Sequence, residues 1–261
     1  MKSIVGQCLK KLLATQGYSL VPTKKWEEYK KVYVRDKIGG PAAKHLVKLL
    51  DTYPVDCVFD VGANDGGFAQ MMRTEVGYQG WIISFEPLVE IAEELAKKAA
   101  ADPKWEVMTD ALGRDIGEKE FHQMAGDVFS SFYLPDPSQP SKYAESNKVL
   151  RSMAVKVNTI NHLWPQIQKR LGVKTMLLKM DTQGFDSEVF AGADRCFDDI
   201  PLVMSEISFI RLYKEAQTFQ ESLDTFAAAG YVPAMLNPIS YDDRQAAIEM
   251  DAILVRAKRP A

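Results

Sequence analysis

Apolar and polar positions alternate along the chain in a repeating order of buried strands and amphipathic helices. Short apolar runs predict strands at 55–61, 81–85, 105–109, 153–157, 175–180 and 202–205. Apolar residues at helical spacing predict helices at 88–101, 159–170, 186–196 and 216–229. Two closing strands, 231–236 and 250–256, flank a short polar loop, as in an antiparallel hairpin. The pattern predicts an α/β fold: a mostly parallel sheet with helices on both faces and a closing hairpin.

Residues 113–152 depart from this alternation. They show little periodicity and contain Pro135, Pro137 and Pro140 within a polar stretch. We expect a hairpin near Gly117 followed by a long polar loop. Long loops in compact domains often cover a functional site. The sequence therefore predicts an insert, or lid, over about 113–152.

The N-terminal segment is basic. Residues 1–50 hold ten lysines and one arginine against three acids, a net charge of +8, whereas the whole chain carries −3. Apolar residues at helical spacing beside lysines predict an amphipathic helix within residues 1–20. Its apolar face has three interpretations: contact with the main domain or a second subunit, as in a homo-oligomer; contact with an anionic membrane surface or acidic partner; or disorder. We expect an N-terminal extension over 1–40 and one domain over 41–261.

Composition places the chain among ordinary globular proteins. It has 261 residues, of which 46% are hydrophobic and 26% charged. Three cysteines and three histidines are scattered without the spacing of a disulfide framework or a metal site, so no metal is expected. No apolar run approaches the ~18 residues that span a bilayer, and no clean signal peptide is visible. We expect a cytoplasmic protein, with membrane-peripheral contact as the alternative, and no nucleic-acid partner for the acidic core.

The first core strand ends in a glycine-rich turn, Asp60-Val-Gly-Ala-Asn-Asp-Gly-Gly67. Gly62 allows a sharp turn and lets a ligand approach the backbone. Open α/β sheets bind ligands at such strand ends. The second strand ends in Glu86, and an acid there suits hydrogen bonds to the two hydroxyls of a ribose. The glycine-rich turn, the acid Glu86 and the alternation of strands and helices together predict a cofactor that contains a nucleoside.

The turn also indicates which cofactor it holds. A dinucleotide site has glycine where this chain has Asn64, so that a pyrophosphate can sit at the helix N-terminus. Asp65 stands where a phosphate would lie, which disfavours NAD and ATP. S-adenosylmethionine (SAM) has no phosphate and carries a sulfonium and an ammonium, and an acidic turn attracts such cations. Asp60 is expected to orient the turn or to contact the amino acid part of SAM.

Further segments extend the pattern of the turn along the chain. They are Ser84-Phe-Glu-Pro87, Asp110-Ala-Leu-Gly113, Val157-Asn-Thr-Ile160, Leu178-Lys-Met-Asp-Thr-Gln-Gly-Phe-Asp186 and Val189-Phe-Ala-Gly-Ala193. With the turn, they resemble the FkbM family of SAM-dependent methyltransferases over about 55–235. The resemblance implies the seven-stranded, Rossmann-like class I methyltransferase sheet and methylation of hydroxyls on natural products or sugars. The chain departs from the family pattern at Gln183 (usually Glu), Asp186 (Glu) and Ile160-Asn161 (often Leu-Asp).

Two acids at strand ends are the catalytic candidates. A hydroxyl that accepts a methyl group must lose its proton, and a carboxylate within reach adds on the order of 10²–10⁴-fold as a base. Asp181 is the first candidate, with loop bonding or helix capping as its structural alternative. Glu206 is the second, as a base or as a hydrogen-bond partner of the substrate. Lys179 is expected on the opposite side of the strand from Asp181, in helix packing or an ion pair.

Cofactor contacts are expected from the turn and from the two following strand ends. The candidates are Asp60, Gly62, Ala63, Asn64, Gly66, Glu86, Pro87, Asp110 and Ala111. In this fold an acid at the place of Asp110 often bonds the adenine amino group; a simple turn role is the alternative. Ser130, Ser131 and His122 are substrate candidates in the insert, each beside a structural alternative. The aromatic group Phe129, Phe132 and Tyr133 is expected either to cover an apolar substrate or to form the insert's own core.

Two functions of different classes follow from these observations. The first is a SAM-dependent methyltransferase that acts on a hydroxyl of a small-molecule or sugar acceptor. The second is a catalytically silent nucleotide-binding or interaction module on the same fold, which the departures at Gln183 and Asn161 support. An NAD-dependent enzyme is a third, disfavoured alternative. Turnover of SAM with an acceptor distinguishes the first from the second.

Overall fold

The computed structural model describes residues 40–257. The predicted amphipathic helix in residues 1–20 lies outside the described residues. The helices are α1 (Gly40–Thr52), α2 (Gly67–Met71), α3 (Val89–Ala99), α4 (Ile160–Leu171), α5 (Asp186–Ala191) and α6 (Phe219–Ala228). The strands are β1 (Cys57–Val61), β2 (Trp81–Phe85), β3 (Trp105–Met108), β4 (Ala111–Leu112), β5 (Gly117–Met124), β6 (Val149–Asn158), β7 (Met176–Met180), β8 (Leu202–Ser208), β9 (Tyr231–Tyr241) and β10 (Ala247–Arg256). Within this range no helix has both the length and the apolar character needed to cross a membrane.

Seven strands form the main sheet in the order β3-β2-β1-β7-β8-β10-β9. The five neighbours β3, β2, β1, β7 and β8 pair parallel to one another. Strand β10 pairs antiparallel with both β8 and β9. This arrangement confirms the predicted fold class: a seven-stranded, mostly parallel sheet with a closing antiparallel hairpin. The strand order reverses at β1, so the carboxyl ends of β1, β2 and β7 border one crevice.

Helices cover both faces of the main sheet because successive side chains of a buried strand point to opposite faces. On one face, Phe59 of β1 packs with Trp164 of α4, in a cluster that also includes side chains of α5 and α6. On the other face, Val58 of β1 belongs to a cluster with Leu46 of α1 and side chains of α2 and α3. Strands β1 and β7 are buried along their whole length. The strand ends that form the crevice are therefore held by packing from both sides.

Helix ends follow local chemistry and backbone packing. The helix predicted over 216–229 is α6, which begins after Thr218; this residue forms a capping box with Glu221. The helix predicted over 186–196 is α5, which ends earlier, at Ala191. The chain leaves α5 at Gly192, where a Cβ would lie 2.0 Å from the carbonyl oxygen of Gly113. The end of α5 therefore coincides with close contact between the backbones of Gly192 and Gly113, and not with a change in hydrophobic periodicity.

A second, three-stranded sheet is built from β4, β5 and β6, with β6 in the middle. Strand β6 pairs parallel with β4 and antiparallel with β5, and Val157 lies opposite both Ala111 and Gly117. The predicted hairpin near Gly117 is therefore wrong, because β4 and β5 both pair with β6 and not with each other. The strand predicted at 153–157 is β6, and it belongs to this smaller sheet.

Strand β9 forms one edge of the main sheet and contains Pro233 and Pro238. The register of the β9–β10 ladder shifts beside both prolines, next to Leu254 and Met250 of β10. Proline has no N–H to donate to a ladder, so it is tolerated at edges and bulges of this kind.

Candidate active site

The turn after β1 lies in the crevice between β2 and β7. Gly62 adopts a left-handed conformation (φ +71°), and a Cβ there would lie 2.0 Å from the carbonyl oxygen of Asp181. Gly66 is also left-handed (φ +83°), and a Cβ there would lie 2.5 Å from Cδ1 of Leu95. Both glycines are needed because the turn packs closely on β7 and α3. The turn backbone is thereby brought next to the end of β7.

Glu86 connects this turn to the start of α3. Its Oε2 accepts a hydrogen bond from the Asn64 N–H at 2.9 Å, and its Oε1 accepts one from the Leu88 N–H at 3.0 Å. Burial raises the pKa of this carboxyl, and the two backbone hydrogen bonds oppose the rise. Each carboxylate oxygen keeps a further lone pair. Glu86 can therefore hold the turn and still accept a hydrogen bond from a ligand hydroxyl.

Asp60 and Lys179 form a buried ion pair beneath the turn. Lys179 Nζ lies 3.0 Å from Asp60 Oδ1 and donates to the Gly62 carbonyl oxygen at 2.9 Å. Burial alone would lower the pKa of Lys179, but attraction to Asp60 and Asp181 outweighs burial and raises the pKa. Lys179 is therefore a cation that fixes the turn. Asp60 does not line the cavity described below, and the geometry favours its turn-orienting role.

The predicted direction of Lys179 is wrong, although the predicted ion pair is present. Lys179 Nζ lies 3.8 Å from Asp181 Oδ2, on the same side of the strand. Residues two apart on a strand project to the same face, so 179 and 181 belong together. One buried cation thus contacts both the turn and the first candidate base.

Gln183 joins the two candidate catalytic acids. Its Nε2 donates to Asp181 Oδ1 at 3.1 Å and to Glu206 Oε2 at 2.8 Å. Its Oε1 accepts a hydrogen bond from the Tyr213 hydroxyl at 2.8 Å. Gln183 is left-handed (φ +54°), which costs a residue with a side chain roughly 1–2 kcal/mol. The strained residue is therefore the one that holds Asp181 and Glu206 side by side.

Burial and mutual repulsion disfavour ionisation in this group of acids. The pKa of Glu206 is raised well above its usual value, first by burial and then by repulsion from Asp181 and Glu249. Burial also raises the pKa of Glu249, and it is the main cause that raises the pKa of Asp251 to about 6. Ionisation of these acids is therefore less favourable than that of isolated carboxyl groups, and a cation nearby would favour the ionised form.

One cavity of about 260 Å³ is bordered by the turn and by Asp181, Glu206 and Glu249. The predicted site residues among its lining are Gly62, Asn64, Glu86, Pro87, Ala111, Ser130, Asp181 and Glu206. The aromatic part of the lining consists of Phe85, Phe121, Phe129, Phe132 and Tyr143. Four carboxyl groups line the cavity, and no lysine, arginine or histidine does so among the residues that the structure describes. The cavity is thus acidic and aromatic.

Three predicted cofactor residues lie outside this lining, as Asp60 does. Asp110 is buried and forms an ion pair with Lys156, with Oδ1 and Nζ 2.7 Å apart. Ala63 and Gly66 are part of the turn but face its packing contacts. Direct contact of Asp110 with adenine stays a prediction, and the cavity reaches the neighbouring Ala111.

Two predicted substrate residues of the insert make internal contacts. His122 Nδ1 lies 2.7 Å from Ser152 Oγ across the β5–β6 pair. Ser131 is fully buried and donates its hydroxyl to the Gln183 carbonyl oxygen at 2.8 Å. Neither lines the cavity. Ser131 instead ties the insert to the residue that holds the two acids.

Sequence reasoning missed three residues of the site: Tyr213, Glu249 and Tyr143. Tyr213 lies in the loop after β8 and contacts Gln183. Glu249 lies on β10, where its Oε2 accepts hydrogen bonds from Tyr143 Oη at 3.2 Å and from Ser240 Oγ at 2.7 Å. No motif marks these positions, because strand pairing and loop packing bring them to the cavity or to Gln183 from distant parts of the chain.

A family model matches most of the described chain. Residues 60–233 match the family described as Methyltransferase FkbM domain. No curated protein matches the sequence. The matched range is well over half of the chain and includes the turn, Glu86, Asp181 and Glu206.

Several solved methyltransferases are similar to this chain at low identity. FkbM methyltransferase from Methylobacillus flagellatus KT is 11% identical with a TM-score of 0.49; the alignment covers 77% of this chain but only 43% of that chain. Magnesium protoporphyrin IX methyltransferase from Synechocystis PCC 6803, with bound SAM, is 12% identical with a TM-score of 0.45, over 82% of this chain and 78% of that one. Because its family match is extensive and contains the site, the chain belongs to the FkbM family of SAM-dependent methyltransferases.

Proposed function

We propose that the protein methylates a hydroxyl group of a small-molecule acceptor, such as a natural product or a sugar. The observation that carries this proposal is the pair Asp181 and Glu206, held together by Gln183 beside the glycine turn. Methyl transfer to oxygen needs a group that takes the hydroxyl proton. A positioned carboxylate can do so, and it works best when its pKa lies near the working pH.

The lining of the cavity suits SAM as the methyl donor. Glu86 is proposed to accept hydrogen bonds from the ribose, and Pro87 and Ala111 to contact the adenine. Gly62 and Asn64 expose turn backbone to the same cavity. Since no cation lines it among the described residues, a cofactor with phosphates would meet mainly repulsion, whereas a sulfonium would be attracted.

Asp181 is proposed as the base. Its side chain is 44% exposed, so it can reach an acceptor, and it is fixed from two directions: Lys179 faces Oδ2 and Gln183 faces Oδ1. SAM, when bound, supplies a methyl group that is already activated for transfer. The protein then has to orient the hydroxyl and take its proton, and orientation alone can contribute roughly 7–11 kcal/mol. Glu206 is proposed to stabilise the protonated pair.

The charge of the cavity also restricts the acceptor. Like charges brought together in a binding site cost several kcal/mol, and the lining contains four carboxyl groups. We therefore propose an acceptor that is neutral or cationic near the reacting hydroxyl, without a phosphate or carboxylate there. The aromatic residues of the lining suit the apolar face of a sugar ring or an aromatic alcohol.

Label transfer tests this function. The full chain is incubated with methyl-labelled SAM and a panel of neutral sugars, amino sugars and aromatic alcohols, each beside a phosphorylated or carboxylated counterpart. We expect label on a hydroxyl of an uncharged or cationic acceptor, with at least about tenfold lower transfer to the anionic counterpart. Asp181→Asn should lower kcat on the order of 10²–10⁴-fold, while the exposed control Asp224→Asn should not.

The outcomes separate the competing functions. Label on nitrogen or carbon would reject hydroxyl methylation. Saturable SAM binding without transfer to any acceptor would favour the catalytically silent module instead.

A further inference from the structure

Gln183 lies where four separate parts of the chain meet. Its side chain contacts Asp181 after β7, Glu206 of β8 and Tyr213 of the loop after β8. Its backbone carbonyl oxygen accepts the Ser131 hydroxyl of the insert. A side-chain amide has two donor hydrogens on one end and a carbonyl acceptor on the other. The direction of the Gln183 amide is therefore tied to where its partners carry hydrogen atoms.

The Tyr213 hydroxyl has more acceptors around it than it has hydrogens. Three oxygens lie within reach: Gln183 Oε1 at 2.8 Å, the Phe129 carbonyl at 2.9 Å and Asn147 Oδ1 at 3.4 Å. A hydroxyl donates one hydrogen and accepts through its lone pairs. With the amide N–H groups directed at the acids, Tyr213 cannot donate fully to both Gln183 and Phe129. A buried acceptor that lacks its hydrogen costs free energy.

Reversing the amide by half a turn would resolve this conflict. The Gln183 N–H would then donate to the Tyr213 oxygen, and Tyr213 would donate to Phe129. The Gln183 carbonyl would then face Asp181 and Glu206, which is favourable only if one of these acids is protonated. One amide direction, with the N–H groups toward the acids, thus suits the ionised pair. The reversed direction suits a pair that carries a proton.

We propose that Gln183 is a positioning residue whose amide direction follows the proton on the Asp181–Glu206 pair. Its N–H groups hold both acids while they are ionised and ready to act as a base. After the pair has taken a proton, the amide turns and its carbonyl accepts a hydrogen bond from the protonated acid. This inference rests on the proposed hydroxyl methylation and concerns the same site.

The proton in this scheme has a defined source. It leaves the acceptor hydroxyl, whose oxygen gains the methyl group while the carbon–sulfur electron pair stays on sulfur. The pair holds the proton until it passes to solvent, which restores the first amide direction.

Several charged or titratable groups surround the pair and influence its proton. They are Lys179, Asp186 and Asp60 from β7, α5 and β1, Glu249 and Asp251 from β10, Tyr213 from the loop after β8, and Tyr143 and Lys142 from the 3-10 turn Ser141–Tyr143. Acids outnumber cations in this group, and burial together with these acids raises the pKa of Glu206.

Nuclear magnetic resonance on the full chain with S-adenosylhomocysteine tests the coupling without any acceptor. The side-chain amide signals of Gln183 are identified by their loss in Gln183→Met, and the Glu206 carboxyl signal by its loss in Glu206→Gln. We expect both sets to shift with one common midpoint, which lies above the usual range of a carboxyl group, in the unsubstituted protein. Amide signals that do not change with pH while the carboxyl signal titrates would overturn the proposal.

Kinetics of variants give a second readout, with an acceptor found by label transfer. Gln183→Met removes the N–H donors that favour the ionised acids. In a plot of kcat against pH, the acidic limb should therefore move to higher pH by about one unit. We expect kcat near neutral pH to fall about tenfold and the KM for SAM to stay within about twofold. Gln183→Glu adds a third acid and should move the limb further in the same direction.

A matched glutamine elsewhere provides the control. Gln166→Met, on the exposed side of α4, should change neither the limb nor kcat. A uniform loss of activity in Gln183→Met without movement of the limb would show a merely structural role and reject the proposal. Because the resonance experiment needs no turnover, it remains decisive even if the acceptor panel yields no product.

Discussion

Left-handed backbone conformations gather at the two chain segments that border the cavity. Gly62, Asn64 and Gly66 adopt them in the turn after β1, and Gln183 and Gly184 adopt them after β7. Such a conformation costs roughly 1–2 kcal/mol for a residue with a Cβ, so it persists only where neighbouring contacts compensate. The contacts here are those of Glu86 with the turn and of two acids with Gln183. Backbone strain and candidate chemistry therefore coincide.

Gly62→Ala should abolish the cofactor site. The added Cβ would lie 2.0 Å from the Asp181 carbonyl oxygen, so the turn must move away from β7. We expect SAM affinity, measured by calorimetry, to fall more than about tenfold, since a shift of the turn disturbs both Glu86 and the backbone of the crevice.

Gly77→Ala is the matched control for this substitution. Gly77 has the same left-handed conformation (φ +75°), but a Cβ there meets no atom within 4 Å. It should cost about 1 kcal/mol of stability without changing SAM affinity. If both variants bound SAM equally well, close packing of the turn on β7 would not matter for the cofactor.

The residues that the sequence identified are those tied to local motifs. The turn, Glu86, Asp181 and Glu206 each follow or end an apolar run, so their positions could be inferred from one sequence. Gln183 was visible only as a departure from the family pattern, and its bridging role needed coordinates. Tyr213 and Glu249 could not be found, because their contacts depend on strand register and loop packing.

The insert is a structural element and not a loose loop. Strands β5 and β6 form an antiparallel pair with one register shift between Gln123 and Met124, and Phe132 connects them to the main domain. The Phe132 ring lies 5.0 Å from Phe121 of β5 and 4.4 Å from Phe185 at the start of α5, measured between centroids. Phe129 and Phe132 line the cavity and also pack against neighbouring rings, so the covering of an apolar substrate stays a prediction.

Phe132→Ala should loosen the insert selectively. Loss of the two ring contacts is expected to speed amide hydrogen exchange in β5 and β6 by about tenfold or more, with little change in β1 and β7. Mass spectrometry of exchanged peptides measures this. Phe209→Ala, at a ring that is 39% exposed and stacked on Phe219, should affect only β8 and α6. Equal acceleration across the whole domain would contradict a selective role for Phe132.

Elements were predictable where burial decides them. Strands β1, β2 and β7 are buried and mostly apolar, each with one polar residue, and their bounds differ from the prediction by no more than a few residues. The second sheet was missed because β4 has two residues and β5 carries exposed charges over its first half. Its strands are defined by pairing with β6, a contact distant in sequence that no local pattern records.

At the scale of the whole molecule, acids buried together make stability depend on pH. Carboxyl groups of the site have raised pKa values in the folded state, chiefly through burial. The folded protein therefore binds protons that the unfolded chain releases. Stability from this source is complete below the unfolded pKa of about 4 and is lost as the pH rises through the folded value.

Asp251→Asn should stabilise the protein at neutral pH. The pKa of Asp251 is about 6 in the folded protein, against about 3.9 when unfolded. Removing its charge should raise the free energy of unfolding by about 3 kcal/mol at pH 7.5 and by little near pH 4. Urea denaturation at the two pH values measures the difference. The exposed control Asp243→Asn should change it by less than about 0.5 kcal/mol, and an equal effect of Asp251→Asn at both pH values would refute the linkage.

The prolines of β9 affect whether another chain can pair with this edge strand. A bare strand at the end of a sheet offers its unpaired amides and carbonyls to any neighbouring chain, which is how ordered fibrils start. Here Pro233 and Pro238 interrupt that row of donors, and the register shifts beside them bend it. The prolines and register shifts therefore disfavour pairing of this edge with the same edge of another copy of the molecule.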